Sequence, residues 1–105
     1  MFPQGFSDMM KQAQALQQKM ATLHQELGQR TVEATAGGGM VTVRVNGRQE
    51  IVAVTIDRTV VSPQDVAVLQ DLIMAATNEA LRRARELISE AVKNVTGGPT
   101  IPGLF

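Results

Sequence analysis

The chain contains no cysteine, no tryptophan and no tyrosine. Without thiols there can be no disulfide, no thiolate metal site and no cysteine nucleophile, so stability has to come from packing, and a reducing compartment is permitted. Its only aromatic residues are Phe2, Phe6 and Phe105, none of them beside a cluster of cations. That leaves no platform for stacked bases and argues against single-strand or RNA-loop recognition. Charge of one sign is missing too: ten Lys and Arg balance ten Asp and Glu. The chain as a whole therefore exerts no electrostatic pull on nucleic acid, and any such pull must come from charges segregated on the surface.

Catalytic equipment is equally sparse. His24 is the one histidine, and its neighbours Gln25 and Glu26 supply neither a nucleophile nor a ligand set, so it reads as a solvated surface residue. Asp57, Asp65 and Asp71 are the remaining candidate acids, of which Asp57 reads as a strand-end residue and Asp65 as a helix-start residue, each with a structural task. Gly37-Gly38-Gly39 is followed by Met40-Val41-Thr42, which opens a strand rather than the Lys-Ser/Thr and helix of a phosphate-binding loop. These features imply no enzyme, no cofactor and no metal. No apolar run approaches the ~18 residues of a membrane span, and Met1-Phe2-Pro3-Gln4-Gly5 has neither a basic flank nor an apolar segment of the secretory kind. The expectation is a cytoplasmic protein with no membrane partner.

What is present fits a single ordered domain over residues 1–105, with 44% hydrophobic and 19% charged residues. Phe6, Met9, Ala13, Leu16, Met20, Leu23 and Leu27 recur at alternating spacings of three and four, a heptad seam that predicts a helix ending at Gly28. From Thr31 to Asp57 the period changes to two. Val32, Ala34 and Ala36 share a face, as do Val41, Val43 and Val45, and then Val52, Val54 and Ile56, which predicts three half-buried strands. The glycine run separates the first two, and Asn46-Gly47 predicts a tight hairpin between the second and third. Ser62-Pro63-Gln64-Asp65 starts a second helix that runs to about Val95, where Gly97-Gly98-Pro99 stops it. Residues 1–6 and 97–105 read as flexible ends.

The second helix carries a broad apolar arc of Leu69, Ile73, Ala76, Ala80, Ala84, Leu87, Ile88, Ala91 and Val95. Opposite lie a flank of Asn78, Arg82, Arg85, Ser89 and Lys93 and an acidic ridge of Glu79, Glu86 and Glu90. Two readings of this face stand side by side. In one, Arg82, Arg83, Arg85 and Lys93, with Lys11 and Lys19 on the first helix, contact DNA phosphates. In the other, Glu79 with Arg83 and Arg82 with Glu86 are ordinary ion pairs four residues apart on a solvated helix. Arg30, Arg44 and Arg48 are further cations whose orientation the sequence leaves open. No helix-turn-helix, zinc finger or basic zipper is present to read bases, so any DNA binding should be largely independent of sequence. A helix of about 32 residues is roughly 48 Å long, well beyond a domain whose radius of gyration should be ~13 Å. Its overhang, and the edge of a three-stranded sheet, call for a second copy of the chain.

Met9-Met10-Lys11-Gln12-Ala13-Gln14 with Leu16-Gln17-Gln18-Lys19-Met20, the segments Gly37 to Val43, Asn46-Gly47 and Val54 to Asp57, and Asn78-Glu79-Ala80-Leu81-Arg82-Arg83 together resemble the YbaB/EbfC nucleoid-associated proteins of bacteria. The resemblance extends to the Pro-Gly-Leu-Phe ending. It implies an α+β fold with an N-terminal helix, a three-stranded antiparallel meander and a long C-terminal helix. It also implies a homodimer whose helices project from paired sheets, binding double-stranded DNA in the nucleoid and affecting nucleoid organisation and gene expression. The rival reading is a helical module that binds a protein partner and touches DNA little. The neutral charge favours that rival, whereas the resemblance and the arginine-rich flank favour DNA.

Overall fold

A computed structural model describes residues 4–96. Helix α1 (Gln4–Gln29) leads into strands β1 (Thr31–Ala36), β2 (Val41–Asn46) and β3 (Ile51–Ile56), and two 3₁₀ turns, Arg58–Val60 and Pro63–Asp65, precede helix α2 (Val66–Thr96). The sheet is an antiparallel meander in the order β1-β2-β3. This is the expected α+β architecture. The expected flexible ends at residues 1–3 and 97–105 lie outside the described residues, and residues 4–6 lie in the first turn of α1.

The core sits between α2 and the first two strands. Val41, Val43 and Val45 of β2 are fully buried against Ala76, Ala80 and Ala84, with Ala34 of β1 beside them. The three alanines are spaced four apart, so they form one row along the helix. Their small side chains let α2 lie close on the valine face of β2, where larger residues would hold it off. A second, smaller cluster joins the ends of the helices, where Leu23 and Leu27 of α1 pack with Ala91 and with Leu87, Ile88, Val92 and Val95. The helices there run antiparallel. Among the described residues, Leu23 and Leu27 at the end of the α1 seam are buried, while Met9, Leu16 and Met20 are exposed. The molecule is accordingly elongated, 75 × 24 × 17 Å with a radius of gyration of 20.2 Å.

The structure corrects four local expectations. Gly28 does not cap α1, which continues to Gln29. A Cβ there would meet the Arg48 guanidinium at 2.7 Å, so a larger residue would push that flexible side chain aside. Asn46-Gly47 does not form a two-residue turn either: the left-handed residue of that hairpin is Gln49, at φ 64°. The Asn46 side chain organises this longer loop, its Oδ1 accepting from the backbone N–H of Arg48 (2.9 Å) and of Glu50 (3.1 Å). Gly47 is there for space, since its N–H donates to the Leu27 carbonyl at 2.8 Å and a Cβ would fall 2.6 Å from that oxygen. The end of α1 is thus fastened to the β2–β3 loop. At the second helix, Ser62 opens a 3₁₀ turn and its hydroxyl donates to the Asp65 carboxylate (2.8 Å) without accepting a capping bond from the backbone, and α2 proper begins at Val66.

The fourth correction concerns β3. Alternation predicts one half-buried face of Val52, Val54 and Ile56, but Val52 and Val54 are about half exposed, at 51% and 49%. The register slips between Arg44 and Val45, so Arg44 stands opposite Ala53 and Val45 opposite Ile51, leaving Val52 as an unmatched bulge residue. Helix α2 lies over β1 and β2, and of β3 only the end residue Ile56 packs against that core among the described residues. Its Ile51, Val52 and Val54 form an exposed apolar strip on an edge strand.

Candidate nucleic-acid interface

The polar face of α2 follows from the burial of its alanine row. Turning Ala76, Ala80 and Ala84 toward the sheet at 100° per residue turns Asn78, Arg82, Arg85 and Ser89 away from it. Arg82 lies in a fork between two acids. Its Nε donates to Glu79 Oε2 at 3.0 Å, its Nη2 to Glu79 Oε1, and its Nη1 to Glu86 Oε1 at 2.6 Å. Arg83 shares Glu79, with Nε 3.3 Å from Oε1, and extends its Nη1 to the backbone carbonyl of Glu33, 2.6 Å away. Hydrogen bonds from Arg82, and more weakly from Arg83, hold the Glu79 carboxyl below its ordinary range. Arg82 is shifted upward by Glu79 and then by Glu86. The pairing reading of these residues is therefore realised in the structure. The groups are nonetheless exposed, with side-chain accessibilities of 55% and 51% for the two arginines. Exposed pairs are weak and screened by salt, so a phosphate can replace either carboxylate.

The contact of Arg83 with Glu33 has a further effect. β1 and β3 are the two edges of the sheet, and Arg83 occupies a main-chain acceptor on β1. That blunts the β1 edge against strand pairing and leaves β3 as the open one. On the outer face of the sheet, Glu33 also accepts from Arg44 Nε at 2.8 Å, a pair set by their facing positions in the register.

The remaining cations fall into separate places. Arg85 is exposed on the outer flank of α2, with no ion pair among the described residues. Lys93 is exposed in the last turns of the same helix, and Lys19 of α1 lines a shallow groove with Val95. Lys19 and Lys93 thus belong to the same end of the helix pair, while Lys11 lies further out on α1. The six candidate cations accordingly divide into a mid-α2 group of Arg82, Arg83 and Arg85 and a helix-end group of Lys93, Lys19 and Lys11. Arg48, whose direction the sequence leaves open, is committed to the fold: its Nε donates to the His24 carbonyl at 3.2 Å near the end of α1, where a cation complements the helix dipole. His24 itself is exposed. Asp57 accepts from the Thr59 N–H (2.9 Å) and hydroxyl (2.8 Å), which lower its pKa and cap the 3₁₀ turn. Among the described residues, no group of three or more His, Cys, Asp or Glu could hold a metal ion, and no helix is long and apolar enough to cross a membrane.

A three-stranded meander backed by one long helix, with a second helix projecting beyond it and arginines exposed on the long helix, is an α+β architecture. The chain belongs to the YbaB/EbfC DNA-binding family, whose pattern it matches over residues 2–99. That family comprises nucleoid-associated DNA-binding proteins and is not a class of enzymes. The chain is similar to a nucleoid-associated protein of Syntrophobacter fumaroxidans, 53% identical over 95% of this chain and 90% of that protein. It is likewise similar to one of Pelotomaculum thermopropionicum, 54% identical over 96% of each. Among solved structures it resembles an uncharacterized protein of Helicobacter pylori, with a TM-score of 0.79 and 25% identity over 88% of this chain and 97% of that one.

Proposed function

We propose that this chain is a single-domain nucleoid-associated protein of the cytoplasm, a homodimer that binds double-stranded DNA through its phosphate backbone and thereby affects nucleoid organisation and gene expression. The carrying observation is the exposed arginine flank of α2, set on a helix that the alanine row fixes rigidly to the sheet. Arg82 and Arg85 stand on the outward flank with Arg83 beside Arg82 at the margin of the sheet, and a duplex offers one phosphate charge per ~1.7 Å of its length. Exchange of Glu79 and Glu86 for phosphates lets Arg82 and Arg83 bind, while Arg85 needs no exchange. Lys93, Lys19 and Lys11 extend the contact toward the helix ends. Nothing on this face is shaped to enter a groove and read base edges, so binding is largely independent of sequence.

The open edge and uncovered face of β3 support the homodimer. Ile51, Val52 and Val54 are exposed on a strand whose outer main-chain groups have no partner among the described residues, and Met74 of α2 is exposed as well, at 59%. A second copy meeting this face through the same residues would cover the apolar strip and close the edge. It would also double the arginine flank, so that a chain of zero net charge would present two cationic segments to one duplex.

The rival, a module for a protein partner, is favoured by the engagement of Arg82 and Arg83 with the chain's own acids. Fluorescence anisotropy with two duplexes of unrelated sequence decides between them. The DNA reading predicts binding of both with affinities within a few-fold at low salt, and absence of binding to either gives the case to the protein partner.

A further inference from the structure

We propose that the uncovered seam of α1, from Met9 to Met20, is a self-association surface through which two copies of this chain pair as antiparallel helices. The inference is independent of DNA binding. Met9, Ala13, Leu16 and Met20 stand within one 60° sector of α1 at heptad positions, and Met9, Leu16 and Met20 are 68%, 49% and 39% exposed. The same seam, one turn further on, already packs against a helix, where Leu23 and Leu27 meet Ala91 of α2. Val95, near the end of α2, lines the groove with Ala15 and Lys19. The rest of the seam, toward Met9, therefore projects past the described part of α2.

The order of residues along the seam points to a second copy as its occupant. An isologous contact requires a surface complementary to itself. Placed antiparallel about a two-fold axis between Gln14 and Ala15, two α1 helices set Met9 opposite the other copy's Met20 and Ala13 opposite its Leu16. Each layer then repeats in reverse. A small residue faces a large one in the central layers and flexible methionines face each other in the outer ones, which is how facing positions fill a helix interface. The flanks agree: Gln12 falls beside Lys19 of the other copy and Met10 beside its Gln17, so no like charges meet. Asp8 shares the Lys19 flank and comes near Lys19 of the other copy, whereas Lys11 lies on the far side of the helix. Four layers make a small interface, so the contact is weak and concentration-dependent, and it strengthens where several copies are held on one duplex.

Because the chain has no cysteine of its own, disulfide trapping reports this geometry directly. Met9→Cys and Met20→Cys are prepared separately and oxidised alone and as an equimolar mixture, without DNA and with a random duplex. Both positions are exposed, so neither substitution disturbs the core. Antiparallel pairing predicts a cross-linked two-chain species only in the mixture, because like positions lie ~16 Å apart along the helices. Leu16→Glu, introduced into both variants, should abolish the species while leaving the circular-dichroism helix signal unchanged. Cross-linking of either variant alone, or none in the mixture at high concentration, overturns the proposal.

Discussion

Glu79 decides how the arginines of α2 are used. It accepts from both Arg82 and Arg83, so it stands where a phosphate must stand if either arginine is to bind DNA. Glu79→Gln should therefore tighten binding at every salt concentration, because neither arginine then gives up this carboxylate to reach its phosphate. A titration showing weaker or unchanged binding would mean that the pairs are structural. The same carboxyl carries a pH signature. Its pKa is lowered in the folded chain, so its contribution to stability is present above the ordinary glutamate pKa and is lost as pH falls through the lowered value. Urea midpoints of the wild type and of Glu79→Gln should accordingly converge between about pH 5 and strongly acidic conditions. At this scale the sequence was legible only in part. The i,i+4 partners of Arg82 and Arg83 could be read from spacing. The reach of Arg83 to Glu33, 50 residues away, and that of Arg48 to the end of α1 depend on how the sheet meets the helices.

Helices and strands were the most legible level, because periods of about 3.5 and 2 state which faces are apolar. The alanine row of α2 was already visible in the arc from Leu69 to Val95, and the structure shows its use as the surface on which β2 lies. Ala80 has no exposed surface, so Ala80→Leu should destabilise the chain by about 1–3 kcal/mol through overpacking, measured by urea denaturation. What periodicity could not show is which apolar face is covered. Val54 and Val43 are register partners on one side of the sheet, yet Val43 is buried and Val54 half exposed, because α2 lies across one pair of strands and not the third. Similarly, the seven seam positions of α1 look alike in sequence. Among the described residues, only Leu23 and Leu27 are buried against α2, for α1 runs past the end of the described chain of that helix. The turns mislead for the same reason: Gly28 and Gly47 signal backbone freedom when seen locally, whereas each provides room for a residue distant in sequence.

For the molecule as a whole, shape and charge together carry the functional account. A chain 75 Å long and 17 Å thin with no net charge can bind a polyanion only by presenting a local cationic face, which the proposed homodimer would present twice. If β3 is the dimer face, Val54→Asp should halve the mass measured by light scattering and weaken DNA binding together with it. A dimer that persists in this variant would place the interface elsewhere. The central claim, backbone contact through the mid-α2 arginines, is tested most directly by comparing the salt dependence of duplex binding for the wild type and for Arg82→Ala/Arg83→Ala, with circular dichroism confirming the fold. The account predicts weaker binding at every salt concentration and a slope shallower by up to about 3.6, because a homodimer without these two arginines on each chain neutralises up to four fewer phosphates, at about 0.9 each. Equal affinity and an equal slope for the two proteins would contradict it.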